Sequence, residues 1–245
     1  MTKIIAHRGA SAVAPENTMS AFELAYRAGA EGIETDVHLT RDNIPVLMHD
    51  ERVNRTTNGT GYIKDYSFAQ LQQLDAGSWF ASRFKDSRVL SLMEFLEWVK
   101  DKPLNLNIEL KNNKIDYENL EQIVYEQVSH YRLLNRTILS TFNPRSVQRL
   151  KHANQDIGVA LLTSRRNRNL VQHARTLGAN AVHIKYRLLN NLLVNQCHQE
   201  KMSVRVYTIN RTRQMGTCFS LDCDGIFTDV PHLALDYRDK FNQSH

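Results

Sequence analysis

The chain has 245 residues, a formal net charge of +5 and an isoelectric point near 9.1. Its hydrophobic (42%) and charged (23%) fractions are those of a globular protein large enough to bury a substantial core. No apolar run reaches the roughly 18 residues of a membrane span, and there is no long basic run, zinc-finger spacing or RNA-binding aromatic motif. These features argue against stable membrane association and nucleic acid, and the mild basic excess favours small anionic ligands such as phosphates.

The cysteines and the N-terminus indicate the compartment. Cys197, Cys218 and Cys223 are odd in number and lack CxxC spacing, which argues against a disulfide framework or a zinc site. The chain enters a strand-like run at Ile4 with no apolar signal-peptide core before it. We therefore expect reduced thiols and a cytoplasmic protein.

Short apolar runs alternate with helix-like segments along the whole chain. Eight such repeats favour a parallel sheet with crossover helices. In a chain of this length they predict an α/β fold, a TIM (β/α)8 barrel forming a single domain over residues 1–245, with a doubly wound open sheet as the alternative. The predicted strands are 3–7, 31–36, 105–110, 137–141, 158–163, 181–185, 203–208 and 225–228, and the clearest helices are 18–28, 92–99, 117–130 and 189–199.

One strand-like run falls outside this repeat. Pro45–His49 begins only about eight residues after Asp36, whereas a parallel crossover needs a dozen or more. A turn-rich stretch rich in Asn, Thr and Gly follows it. We therefore predict that about 45–90 is a small insertion after the second strand, lying over the C-terminal face where barrel enzymes place their active sites.

The densest polar cluster follows the first strand. A histidine at a strand end, here His7, can transfer a proton near neutral pH, and Arg8 beside it can bind a phosphate oxygen bidentately. Gly9 would let the backbone approach a ligand closely, and the run from Pro15 to Thr18 is typical of a helix start. An ordinary βα turn with a capping residue would account for the same residues.

The second strand carries two carboxylates on one face. Glu34 and Asp36 are two residues apart, so they point the same way. Two like charges inside a barrel mouth are costly to bury, and a hard divalent cation such as Mg²⁺ or Ca²⁺ would neutralise them. His38 continues the alternation near the strand end, and we expect it to support the site or to lie at the rim.

Two further segments bring polar residues to the same mouth. Glu109 and Lys111 belong to a run in which polar residues alternate with leucine and isoleucine, so they should face into the barrel. Glu109 could complete the metal site, and Lys111 could pair with a phosphate oxygen. A half-exposed antiparallel strand is the alternative. His49 and Asp50, at the end of the excursion strand, add a second histidine.

The last two strands contribute two candidates. Tyr207 should face the mouth and line a substrate pocket. Asp229 follows the last strand and could provide an orienting hydrogen bond. A purely structural role in closing the barrel would also account for both.

Together these motifs resemble the glycerophosphodiester phosphodiesterase family, most closely its short bacterial cytoplasmic type. The resemblance runs from residue 6 to residue 231, and six motifs occur in the family's order and spacing. These motifs are His7-Arg8-Gly9, Pro15-Glu16-Asn17-Thr18, Glu34-x-Asp36, His49-Asp50, Glu109-x-Lys111 and Thr228-Asp229-x-Pro231.

The resemblance implies metal-dependent hydrolysis of small glycerophosphodiesters to an alcohol and sn-glycerol 3-phosphate, through a cyclic phosphate. One departure is Tyr207, where many members have tryptophan, so we expect altered packing at the glycerol end. The implied roles are one divalent metal, Mg²⁺ or Ca²⁺, on Glu34, Asp36 and Glu109; acid–base catalysis by His7 and His49; and phosphate contacts from Arg8 and Lys111. Further candidates for the pocket or its support are Glu16, Asn17, Asp50, Tyr207 and Asp229.

Three other functions remain open from the sequence. A lysophospholipase D- or sphingomyelinase D-like enzyme would need apolar surface at the mouth, for which Trp79, Phe80 and Phe84 are candidates unless they pack the insertion onto the barrel. An inactive barrel used as a binding protein should have lost a metal or proton-transfer residue, and none is lost. A nucleic-acid phosphodiesterase would need a basic groove with stacking aromatics, which no stretch of sequence shows.

Overall fold

The computed structural model describes residues 1–244 and contains a closed β-barrel. Eight strands pair in parallel, and the first pairs with both the second and the last, which closes the sheet and excludes the open alternative. The predicted barrel is thereby confirmed. In chain order the strands are β1 (Lys3–His7), β2 (Gly32–Leu39), β3 (Pro45–Leu47), β4 (Asn105–Leu110), β5 (Thr137–Thr141), β6 (Gly158–Thr163), β7 (Ala181–Lys185), β8 (Ser203–Tyr207) and β9 (Gly225–Thr228).

Helices follow the barrel strands and cover them. Thr18 caps the first, its hydroxyl accepting from the backbone amide of Ala21, as the sequence predicts. The fourth begins at Leu120 rather than 117, because Asn119 has a left-handed φ of 59° that a helix interior does not adopt. The helices are α1 (Met19–Arg27), α2 (Phe68–Leu71), α3 (Leu92–Val99), α4 (Leu120–His130), α5 (Pro144–Ala153), α6 (Leu170–Thr176), α7 (Asn191–Gln199), α8 (Thr212–Ser220) and α9 (Pro231–Ser244).

The barrel strands separate apolar from polar residues by their period of two. In β4, Leu106, Ile108 and Leu110 are buried in the main hydrophobic cluster, which the surrounding helices complete. Asn107 and Glu109 lie on the other face, which looks into the barrel. The interior of the barrel mouth is therefore polar, which is the arrangement that a site for charged ligands needs.

The predicted excursion strand is present as β3. It pairs antiparallel with the end of β2, matching Val37 with Leu47 and Leu39 with Pro45. Because this pairing extends the ladder, β2 runs to Leu39 instead of ending at residue 36. Residues 44–89 contribute a small hydrophobic cluster of their own, made of Val46, Met48, Val53, Ile63, Leu71, Ala76 and Val89 with Ile44, Tyr66, Phe68 and Leu74 packed against it.

The three aromatic residues in this segment pack on one another. Phe80 makes edge-to-face contacts with Trp79 and Phe84, at 5.6 and 5.7 Å between ring centroids. The indole of Trp79 also donates to the carbonyl of Ala76 at 2.9 Å. These contacts lie within the segment, and Trp79 remains 39% exposed.

Two further observations bear on the environment of the chain. Cys197, Cys218 and Cys223 are free and buried, as the sequence predicts. Among residues 1–244, none of the helices combines the length and the apolar character that crossing a bilayer requires.

Candidate active site and metal centre

Three carboxylates converge at the C-terminal end of the barrel. Glu34 and Asp36 come from β2 and Glu109 from β4, and the register of these neighbouring strands places Asp36 opposite Glu109. Each residue offers one oxygen, and the three oxygens lie within 4.8 Å of one another. The alternation that predicted one inward face on each strand thus brings together all three proposed metal ligands.

Two cations are built into this cluster. Arg8 Nε lies 3.1 Å from Asp36 Oδ2, and Lys111 Nζ lies 2.8 Å from Glu109 Oε1. Burial raises the pKa of Asp36, but Arg8 and Lys111 outweigh it and hold that pKa well below its usual range. Glu34 differs, since burial together with the charges of Asp36 and Glu109 raises its pKa well above the ordinary value.

The cluster fits a divalent cation. Asp36 Oδ1 is buried and receives no hydrogen bond, although it lies 3.5 Å from Lys111 Nζ. When all three carboxylates are ionised, their charge exceeds that of Arg8 and Lys111 by one, and this excess would repel a phosphodiester anion. A divalent ion would reverse that sign, and carboxylate oxygens are the ligands that Mg²⁺ and Ca²⁺ prefer.

His7 lies at the end of β1 and is held by a carboxylate. Its Nδ1 is 2.7 Å from Asp229 Oδ1, and because a carboxylate only accepts, the ring donates and its Nε2 is left for a substrate. Asp229 also accepts from the Ser11 hydroxyl at 3.0 Å and from Asn210 Nδ2 at 2.5 Å. Burial raises the pKa of Asp229, but these hydrogen bonds outweigh it and set the pKa at about 2.

His49 has an equivalent arrangement. It follows β3, and its Nδ1 lies 2.7 Å from Asp50 Oδ1. Arg55 Nε donates to Asp50 Oδ2 at 2.8 Å. The same guanidinium donates through Nη1 and Nη2, at 2.8 Å each, to Glu16, which in turn accepts from Arg8. A continuous chain of charges therefore links His49 to the cluster of carboxylates.

Of the two places expected for His38, the structure agrees with support of the site and not with the rim. It lies within β2 and is fully buried. Its Nε2 donates to the carbonyl of His49 at 3.2 Å, and its Nδ1 accepts from the hydroxyl of Tyr117 at 3.0 Å. Burial lowers the pKa of His38 to about 4, so the ring is neutral near pH 7 and supports the backbone that carries His49.

The turn after β1 positions Asp36 through a hydrogen bond from Asn17. Asn17 Nδ2 donates to Asp36 Oδ2 at 3.0 Å, and Asn17 Oδ1 accepts from the hydroxyl of Thr35 at 2.8 Å. Gly9 has a φ of +84°, and a Cβ there would lie 2.6 Å from the carbonyl carbon of Ala21. Close packing on α1 therefore requires glycine at this position, and the approach of a ligand stays a prediction.

A cavity of about 340 Å³ lies over these groups. Both proposed proton-transfer histidines line it, together with Glu34, Glu109 and Lys111. Tyr207 also lines the cavity, as predicted; its hydroxyl donates to the carbonyl of Thr163 at 2.9 Å, and its ring meets Phe142 edge-on at 6.2 Å. One chamber therefore brings together both histidines, Arg8 and Lys111, and two of the three clustered carboxylates.

Several residues of this site carried no clear signal in the sequence. Arg55 lies in a turn-rich stretch, and Asn210 lies in the loop after β8, without a pattern that indicates their partners. Phe142, Leu162 and His183 line the cavity from β5, β6 and β7 or the loops that follow them. The sequence could have indicated these residues only through their places at predicted strand ends, because strand ends form the mouth of such a barrel.

Comparisons with known proteins identify the family of the chain. The model of the glycerophosphoryl diester phosphodiesterase family matches residues 7–233. A glycerophosphodiester phosphodiesterase of Bacillus altitudinis is 37% identical, with 98% of this chain and 99% of that protein covered. Another, of Caldanaerobacter subterraneus subsp. tengcongensis, is 34% identical over 96% of this chain and 97% of its own length. A solved Oleispira antarctica phosphodiesterase, in complex with the product sn-glycerol-3-phosphate, superposes with a TM-score of 0.87 at 28% identity and covers 98% of this chain and 97% of its own.

Proposed function

Since the chain belongs to the glycerophosphoryl diester phosphodiesterase family, we propose that it hydrolyses small, soluble glycerophosphodiesters to an alcohol and sn-glycerol 3-phosphate. This membership confirms the predicted enzyme class and the resemblance on which that prediction rested. The observation that carries the proposal is the cavity in which two carboxylate-held histidines flank a cluster of three carboxylates.

Glu34, Asp36 and Glu109 would hold one divalent metal, Mg²⁺ or Ca²⁺. When bound, such an ion lowers the pKa of a coordinated hydroxyl and stabilises negative charge on phosphate oxygens. Arg8 and Lys111 lie against the same carboxylates, so each can present a donor to the phosphate without leaving its ion pair. Their positive charge would hold the phosphodiester over the carboxylate cluster.

The two histidines would move the protons. One accepts at Nε2 the proton of the glycerol hydroxyl next to the ester, and the freed oxygen attacks phosphorus. The other donates its Nε2 proton to the departing alcohol, leaving a cyclic phosphate. Water then opens the ring as the histidines exchange roles, and glycerol 3-phosphate is released. The equal 2.7 Å contacts to Asp229 and Asp50 support this reciprocal use, since each occupies Nδ1 and leaves Nε2 without a hydrogen bond from residues 1–244.

The other candidates would support these groups. Glu16, Asn17, Asp50 and Asp229 would position Arg8, Asp36, His49 and His7, and Tyr207 would line the glycerol end. We further propose one domain over residues 1–245, with about 45–90 as the insertion that carries His49. The three free cysteines support a cytoplasmic location.

Product analysis tests which bond is broken. Incubation with glycerophosphocholine should yield choline and glycerol 3-phosphate in equal amounts, measured by coupled enzymatic assays. Phosphocholine with glycerol would instead show cleavage on the other side of phosphorus and would refute the proposal. Phosphorus NMR of the same reaction should detect a transient cyclic phosphate.

The metal site has its own test. Glu34→Gln removes one charge from the cluster with little change in volume, so calorimetric titration with Mg²⁺ and Ca²⁺ should give an affinity at least about tenfold weaker than wild type. Glu97→Gln, an exposed carboxylate on α3, is the matched control. An unchanged affinity in the Glu34 variant would remove this residue from the metal site.

A further inference from the structure

The active site has two chambers with different walls. The inner cavity, described above, is lined in part by the deeply buried residues Asn107, His183 and Phe227, with relative exposures of 2%, 0% and 2%. A second cavity of about 460 Å³ adjoins it and shares His49, Lys111, Phe142 and Leu162 with it. Exposed residues, including Asn113, Lys114 and Arg165, line this outer chamber.

A phosphodiester held at the shared wall would place its two arms in these two chambers. The glycerol arm is the same in every substrate of the proposed reaction, so the enclosed inner chamber suits it. The alcohol arm varies in size and charge, and it must depart after cleavage. The exposed outer chamber is therefore the place where the alcohol arm would lie.

The outer chamber ends in a group of cationic residues that we call the basic rim. Arg165 lines the outer chamber and also a neighbouring groove of about 610 Å³, whose lining adds three more arginines and contains no carboxylate. Lys185, also exposed, lines the inner chamber nearby. Within residues 1–244, none of these side chains has a carboxylate within ion-pair distance. The basic rim consists of Arg165, Arg166, Arg168, Lys185 and Arg187.

The carboxylates of the outer chamber are paired with cations, whereas the cations of the basic rim have no carboxylate partner within residues 1–244. Asp50 pairs with Arg55 at 2.8 Å, and Glu51 pairs with Lys114 at 3.0 Å. One member of the rim is held in place, because Arg187 Nη2 donates at 2.5 Å to the carbonyl of Ser164, which lines the outer chamber. The uncompensated charge that an alcohol arm meets is thus positive.

We propose that the basic rim selects substrates whose leaving alcohol carries negative charge, such as a further phosphate, over substrates with a cationic alcohol such as choline. This inference rests on the proposed function and adds the substrate class of the same site. Unpaired cations at the edge of a cavity raise the local concentration of anions and repel cations. Lys185 and Arg165 are the two residues of the rim that line the active-site chambers.

Three substrates that differ in the charge of the alcohol arm test the proposal. At low ionic strength, kcat/KM should be about tenfold higher for glycerophosphoinositol 4-phosphate than for glycerophosphoinositol, and lowest for glycerophosphocholine. In about 0.5 M NaCl the values of kcat/KM for glycerophosphoinositol 4-phosphate and glycerophosphoinositol should differ by no more than about twofold, because salt screens exposed charges. Equal values at low salt, or a preference for glycerophosphocholine, would overturn the proposal.

A double variant, Arg165→Gln with Lys185→Gln, separates the rim from other causes of selectivity. We expect kcat/KM for the phosphorylated substrate to fall about tenfold and that for glycerophosphocholine to rise. Arg27→Gln, a 73% exposed arginine at the end of α1, is the control and should leave both values unchanged. A double variant that retains the wild-type ratio would contradict the role of the rim.

Two further outcomes remain distinguishable. The wild-type protein, but not the double variant, could bind vesicles that contain anionic lipid while showing no selectivity among the soluble substrates. That pair of results would overturn the proposal in favour of a membrane-docking surface. Failure of all three substrates to release glycerol 3-phosphate would refute the proposed function itself, and this inference with it. Release from glycerophosphocholine without the expected ratio would refute only the inference.

Discussion

Nδ1 of His7 lies 2.7 Å from Oδ1 of Asp229, although the two residues are 222 positions apart in the chain. Pairing between β1 and β9 closes the barrel and brings these strand ends together. The carboxylate fixes the ring's tautomer and stabilises the imidazolium that proton transfer would create. Asp229→Asn should therefore lower kcat by about 10²-fold or more while far-UV circular dichroism stays unchanged. Asp239→Asn, on the exposed face of α9, is the control, and near-normal turnover in the Asp229 variant would refute the role.

The same carboxylate predicts a pH dependence of stability. The pKa of Asp229 is about 2 in the folded protein against an ordinary value of 3.8. A carboxylate whose pKa is lower in the folded protein contributes stability that is fully present above the pKa of the unfolded state. This stability is lost as the pH falls through the pKa of the folded state. Wild type should exceed Asp229→Asn in free energy of unfolding by up to about 2 kcal/mol above pH 4, and this excess should shrink toward pH 2. Urea titrations across this range measure it, and a pH-independent difference would contradict the assignment.

Proton transfer by the two histidines gives a second prediction. His7→Ala and His49→Ala should each lower kcat by about 10²–10⁴-fold, which is the usual contribution of positioned acid–base catalysis. His173→Ala, on the exposed side of α6, should retain wild-type turnover. Steady-state assays with glycerophosphocholine provide the comparison, and a variant of His7 or His49 that keeps more than about a tenth of kcat would exclude that residue as an acid or base.

Arg55 is predicted to position His49 rather than to touch the substrate. Its guanidinium joins Asp50 and Glu16, with distances of 2.8 Å to each. A lysine keeps the positive charge but lacks the planar guanidinium that donates to both carboxylates at once. Arg55→Lys should lower kcat about tenfold with little change in KM. Arg52→Lys keeps a cation near Tyr62 and serves as the control; equal kcat in the two variants would contradict this role.

The packing of α1 on the barrel predicts a large effect on stability. Phe22 is fully buried, and its ring lies 4.7 Å from that of Phe95 and 6.2 Å from that of Trp98. Phe22→Ala should lower the free energy of unfolding by about 3–5 kcal/mol, through lost burial and the cavity left behind. Leu24→Ala, at a 37% exposed position of the same helix, should cost far less. Chemical denaturation compares the two, and similar losses would contradict the packing.

The sequence predicts those parts of the site that depend on local periodicity. Glu34, Asp36 and Glu109 were recognisable because two-residue spacing on a strand decides which face a side chain takes, whatever the rest of the chain does. The barrel followed from a second regularity, eight repeats of a strand-like and a helix-like segment. Element bounds were close, apart from α4, where the left-handed Asn119 delays the start, and β2, which its pairing with β3 extends to Leu39.

Relationships that depend on the folded path were not predictable in this way. His38 is buried because β3 returns over the end of β2, a pairing that a single strand does not reveal. Arg55 reaches Asp50 and Glu16 only through the turns of the segment after β3. Gly9 is required by the backbone of α1, a contact set by tertiary packing rather than by its neighbours in sequence.

Metal-dependent release of glycerol 3-phosphate from glycerophosphocholine tests the proposed function most directly. The assay is run on the enzyme as purified, after EDTA treatment, and after Mg²⁺ or Ca²⁺ is restored. The carboxylate cluster of Glu34, Asp36 and Glu109 predicts that EDTA abolishes release and that one of the two ions restores it. Release that is unaffected by EDTA, or absent with either ion, would contradict the proposal.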